Sequence, residues 1–198
     1  TARAVAVAGA VLSLFGTAAC NELVGASRSS TILVIERIAA APGGSGADPI
    51  NTLLNSDVLT NGGVFPDIAR VTTRLAFKSP GASANPASPT SANWVTITGY
   101  RVVYRRTDGR MKEGEDVPYS FEGGMTMTPL DIGPAEFTLV RTQAKLEQPL
   151  ISLRNLGGSV AISVIAEITF FGHDQTGAAI SADGTIGINF ADFPDSGT

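Results

Sequence analysis

The feature that most restricts the fold is a two-residue alternation of apolar and polar side chains. It recurs from Thr31 to the C-terminal end, broken by clusters of Gly, Pro, Asp, Asn and Ser, and no segment after Cys20 carries a convincing helical period. In Ala69 to Lys78 the set Ala69, Val71, Thr73, Leu75, Phe77 alternates with Arg70, Thr72, Arg74, Ala76, Lys78. Successive strand side chains point to opposite faces, so this run predicts a half-buried strand of an antiparallel sheet. Thr96 to Arg106 divides in the same way, with Thr98, Tyr100, Val102 and Tyr104 assigned to the core and Ile97, Gly99, Arg101, Val103 and Arg105 to the other face. Val160 to Phe171 is apolar enough for a central strand, with Val160, Ile162, Val164, Ala166, Ile168 and Phe170 inward. Further strands are expected at Thr31 to Ile38, Leu53 to Thr60, Val117 to Phe121, Phe137 to Lys145 and Ala179 to Phe190, with hairpin turns at Asp174 to Gly177 and at Asp183-Gly184. Seven or eight such strands predict an all-β chain folded as a single antiparallel β-sandwich.

The N-terminal segment Thr1 to Cys20 (TARAVAVAGAVLSLFGTAAC) has another character. Arg3 gives a short positive start, Ala4 to Gly16 carries no charge, and Thr17, Ala18 and Ala19 lead into the only cysteine of the chain. That order of parts is an export signal. With Ala18-Ala19-Cys20 at its end the segment resembles the signal of bacterial lipoproteins. The resemblance implies cleavage before Cys20, acylation of that cysteine and attachment to a membrane of the bacterial envelope. Two other readings are a retained membrane anchor, and ordinary secretion with Cys20 left as a free thiol. For the anchor, Ala4 to Ala19 rises only about 24 Å as a helix against a hydrocarbon core of about 30 Å. The expected organisation is a signal over 1–19, a polar tether over 20–30, one domain over 31–193 and a short tail over 194–198.

Composition narrows the function classes. The formal charge is −4 at pH 7, which gives no support to nucleic-acid binding, since that requires a basic footprint. A single cysteine allows no disulfide within the chain, so stability is expected from packing alone. Ala39 to Asn51 and Ser79 to Asn93 are built from Ala, Gly, Ser, Pro and Asn, and both are expected to be mobile loops.

Catalytic signals are thin. His173 is the only histidine and is expected in a turn, and no nucleophile elbow, zinc-protease or phosphate-loop motif occurs. No cofactor is expected, and one His with one Cys cannot make a tetrahedral zinc site. Glu113, Glu115, Asp116, Asp174 and Asp183 are the acids closest to a calcium-binding arrangement, although they follow no recognised spacing, and no metal is expected. The charge layout says more. Arg37, Arg70, Arg74, Lys78, Arg101, Arg105, Arg106, Arg141 and Lys145 fall within predicted strands while most acids fall in turns. Outward side chains would then form a basic sheet face, suited to a protein partner or an anionic glycan, or would simply keep the sheet soluble and its edges unpaired.

The strand pattern resembles the immunoglobulin-like and fibronectin type III-like sandwiches. Ala166 to Phe190 (AEITFFGHDQTGAAISADGTIGINF) looks like their closing hairpin, and Trp94 stands near where such folds place a core tryptophan. Arg70, Arg74, Arg101, Arg105 and Trp94 are the candidate partner-binding residues, and Cys20 is the lipidation site. The resulting expectation is a non-enzymatic, lipid-anchored envelope protein whose domain binds a partner or serves as an accessory subunit. The alternative is a lipid-anchored hydrolase or glycan-modifying enzyme with an unrecognised site.

Overall fold

The computed structural model describes residues 29, 31–79, 81, 88–128 and 134–195. The chain is all-β, with eight strands among the described residues arranged in two sheets. They are β1 Thr31–Ala41, β2 Leu53–Asp57, β3 Asp67–Phe77, β4 Val95–Arg106, β5 Phe121–Met127, β6 Ala135–Val140, β7 Ile162–Asp174 and β8 Ala179–Ala191. One sheet runs in the order β1-β3-β6 and the other β2-β8-β7-β4-β5. Every pairing is antiparallel except β2 with β8, which run parallel from Leu53 opposite Gly187 to Asp57 opposite Ala191. The expectation of a wholly antiparallel arrangement is corrected at that edge. A parallel neighbour cannot be reached by a tight turn, and here more than a hundred residues separate the two strands.

The alternation does what it predicts along β3 and β7. Ala69, Val71 and Thr73 are buried, as are Ile162, Val164, Ala166, Ile168 and Phe170, while Arg74 and Ile165 point to solvent. One apolar cluster takes Leu33, Val71, Phe137 and Leu139 from the smaller sheet, and Val102, Tyr104, Ile168, Ile188 and Phe190 from the larger. Rings join the two sheets. Phe137 of β6 meets Tyr100 of β4 and Phe170 of β7 edge-on, with centroids 5.0 and 5.3 Å apart. Burying each such side chain contributes about 1.5–3 kcal/mol, the main term available to a chain without a disulfide.

In β4 the predicted phase holds for only part of the strand. Ile97 pairs with Gly172 and Gly99 with Phe171, so Thr98 is an extra residue with no partner, a β-bulge. The bulge moves the alternation by one position, so that Ile97 and Tyr100 are both buried while Thr98 is exposed. Ile97 and Thr98 therefore exchange the faces expected for them. Glycine is required opposite, because a Cβ on Gly172 would lie 1.9 Å from the main-chain oxygen of Thr96.

Other boundaries also differ from expectation. Asp183 and Gly184 lie inside β8, paired with Thr169 and Ile168, and only the Asp174–Gly177 turn closes a hairpin. Val160 is exposed and precedes β7. Val117 is buried in a loop, and β5 begins at Phe121. The predicted strand Phe137 to Lys145 ends at Val140, and the chain turns into a short helix, α1, Thr142–Leu146. Ala39 to Ala41 belong to β1 and are buried, and the loop that follows is tied back by Ala40 and Asn51, whose main-chain groups exchange hydrogen bonds of 2.8 and 3.2 Å. Residues 80 and 82–87 of the second predicted loop lie outside the described residues, and Ser91–Asn93 form a 3-10 turn before β4.

Candidate functional site

The candidate arginines do not share one face. Arg70 and Arg74 belong to β3 in the smaller sheet, whereas Arg101 and Arg105 belong to β4 in the larger. Three of the four meet acids. Arg70 contacts Glu136 at 2.7 Å and Asp48 at 3.7 Å, Arg74 contacts Glu36 at 2.9 Å, and Arg105 contacts Glu167 at 3.1 Å. The Glu136 carboxylate beside Arg70 holds its guanidinium above the ordinary range. Exposed pairs of this kind add about 0–1 kcal/mol each, but they cancel most of the local positive charge. Arg101 is exposed and makes no ion pair among the described residues. Trp94 is half-buried between the 3-10 turn and β4.

Two further basic residues were expected to point outward from strands and do not. Lys145 is wholly buried on α1. The Arg141 guanidinium lies 4.6 Å from the centre of the Phe121 ring, a cation–π contact. His173 is the penultimate residue of β7, paired with Ala179, rather than a turn residue. Cys20 lies outside the described residues.

The acids weighed for calcium are held by neighbours in the chain. Glu115 pairs with Lys112 at 2.6 Å, Asp116 with Arg110 at 3.5 Å, and Glu113 accepts the Ser120 amide at 3.0 Å. Asp183 accepts the Thr169 hydroxyl at 2.6 Å. Asp174 accepts the Thr176 hydroxyl at 2.7 Å and the amides of Thr176 and Ala178 at 2.8 and 3.0 Å, which fixes the β7–β8 turn. The hydroxyl bond, followed by those amides, holds its carboxyl below the usual range.

The most concentrated polar chemistry lies elsewhere, at a group the alternation did not single out. Asp67 opens β3 opposite Val140 of β6, and its side chain is completely buried. Lys145, one turn of chain beyond β6, brings its ammonium Nζ to Oδ1 of Asp67 at 2.8 Å, with side-chain exposures of 1% and 0%. The Gly43 amide donates to the same oxygen at 2.7 Å, and the Ser56 hydroxyl of β2 donates to Oδ2 at 2.5 Å. Arg154 donates to the main-chain oxygen of Lys145 at 3.0 Å and so holds the end of α1 in place. Burial pushes the Asp67 carboxyl up, against the opposing pull of Lys145, Ser56 and Gly43. One carboxylate thus gathers the loop after β1, β2, β3 and the segment after β6. The signal was present: Asp67 stands two before Ala69, in phase with the buried face, where an acid requires a partner.

No family model matches this chain, and no curated protein matches it.

Proposed function

We propose that the chain is a lipid-anchored protein of the bacterial envelope, whose domain is an immunoglobulin-like or fibronectin type III-like β-sandwich serving as a binding or structural module. The observation that carries this reading is Ala18-Ala19-Cys20 at the end of an uncharged apolar run. Two sheets that share one apolar core, with Phe137 of one wedged against Tyr100 and Phe170 of the other, support the sandwich. Most of the charged side chains described above, Arg101 apart, are taken up in ion pairs, turns and a buried network, which favours a scaffold over a catalyst. Contact with a protein partner or an anionic glycan, including docking as an accessory subunit of a membrane complex, is assigned to the outer face of the larger sheet. Arg101 makes no ion pair there among the described residues.

The test is fractionation of cells expressing the full chain, alongside mass spectrometry of the extracted protein. Acylated Cys20 as the new N-terminus, with detergent needed for extraction, is the expected result, and Cys20→Ser should release the protein from the membrane fraction. An unmodified Cys20 in the wild-type chain would overturn the anchoring.

A further inference from the structure

We propose that Lys145 and Asp67 condense into an intramolecular amide, a covalent cross-link between the segment after β6 and the first residue of β3. The two residues are 78 apart in sequence, and Nζ lies 2.8 Å from Oδ1 with neither side chain reachable by solvent. A buried ion pair gives a fold little net stability, because both ions lose their hydration. The same loss of hydration favours the neutral acid at Asp67 that condensation requires. The pair is also already placed, so the entropy of bringing amine to carboxyl has been met by folding.

The hydrogen bonds around Asp67 divide its two oxygens in the manner the reaction needs. A proton passing from Nζ to Oδ1 leaves a free amine beside a carboxylic acid. The Nζ lone pair forms a bond to Cγ, and the electron pair of the carbonyl moves onto Oδ2, where the Ser56 hydroxyl at 2.5 Å donates to it. A second proton passes from Nζ to Oδ1, the Cγ–Oδ1 bond breaks, and Oδ1 departs as water as the carbonyl re-forms at Oδ2. The Gly43 amide, which donates to Oδ1 at 2.7 Å, steadies that oxygen as it leaves. One water is lost, the third Nζ proton stays on the amide, and no oxidant, metal or second substrate is consumed. Ser56 and Gly43 act through the carboxyl, and Arg154, by holding the main-chain oxygen of Lys145, is a positioning residue.

The structure also offers a use for such a bond. The only cysteine is Cys20, so no disulfide can brace the domain. An amide at this place would close a loop containing β3, β4, β5 and β6, which a reducing or oxidising change of surroundings would not open.

The experiment is a tryptic map of the purified, folded full chain after denaturation. Expected is a branched peptide joining the Asp67 and Lys145 segments, lighter by one water than the sum of its parts and uncut after Lys145. Lys145→Arg keeps a cation but should give two unlinked peptides of full mass. Ser56→Ala should fold and show a smaller cross-linked fraction at equal times after folding. Separate peptides of full mass from folded wild-type protein, with cleavage after Lys145, would overturn the proposal and leave an ion pair. That reading needs no cellular location, so its failure is separate from that of the lipid anchor.

Discussion

Tyr104 of β4 donates its hydroxyl to the main-chain oxygen of Leu139 in β6 at 2.7 Å, a bond that crosses from one sheet to the other through the core. Its ring also meets Phe190 edge-on at 6.2 Å, so it is at once an apolar filler and a polar tie. Tyr104→Phe keeps the ring and strands the Leu139 oxygen in an apolar setting. The expected cost is about 1–2 kcal/mol, read as a lowered denaturation midpoint at unchanged slope. Burial, with the nearby Asp67 charge, pushes the phenol of Tyr104 up well beyond its ordinary range. In an alkaline absorbance titration it should therefore remain protonated until the chain unfolds.

Val164 and Arg101 test the two faces of the larger sheet. Val164 is 1% exposed near the start of β7, and Arg101 is exposed on β4. Val164→Asp buries a charge with no partner, at a cost of several kcal/mol, comparable with the whole stability of a domain, and should fail to fold. Arg101→Ser should shift stability by no more than about 0.5 kcal/mol. If the basic contact assigned to this face is correct, the Arg101→Ser protein keeps its melting curve and loses its partner. Equal binding by both proteins would remove Arg101 from that role.

Asp174 supplies a pH dependence with a definite sign. Its carboxyl is held below the unfolded value, chiefly by the Thr176 hydroxyl, so the folded state binds a proton less readily than the unfolded state. Its contribution is then fully present above the ordinary carboxylate range and is lost as pH falls through the folded value. Asp174→Asn should lower stability at neutral pH by about 1 kcal/mol. The same variant should flatten the acid limb of a stability–pH curve, and an unchanged limb would show that the turn does not sense the charge.

Strands that alternate over a long run were legible in the sequence. β3, β4, β7 and β8 stand close to where the pattern places them, because one buried face imposes the period on every residue. Phe171 and Ile165 on the outer face show that the wet side of β7 is not wholly polar, yet the inner set was still unmistakable. What could not be read were features set by a partner far along the chain. The bulge at Thr98 depends on Gly172 opposite, and β2 takes its direction from β8. Arg141 to Lys145 leave the strand because Lys145 must reach Asp67, which outweighs the β-propensity of the residues before it. Charge type alone placed Lys145 outside, whereas its four-carbon stem and a waiting carboxylate place it inside.

The parallel strand β2 has a bearing on when this protein can fold. Leu53 to Asp57 complete their hydrogen bonds only against Gly187 to Ala191, and Val58 donates its amide to Ala191 beyond them. Loop-closure entropy is spent before any such distant contact repays it. An emerging chain that lacks β8 therefore holds β2 without a partner strand, and the larger sheet cannot finish until β8 has been made. A polypeptide of that kind keeps one sheet open while β1 to β7 are being made, and closes it only once β8 has joined.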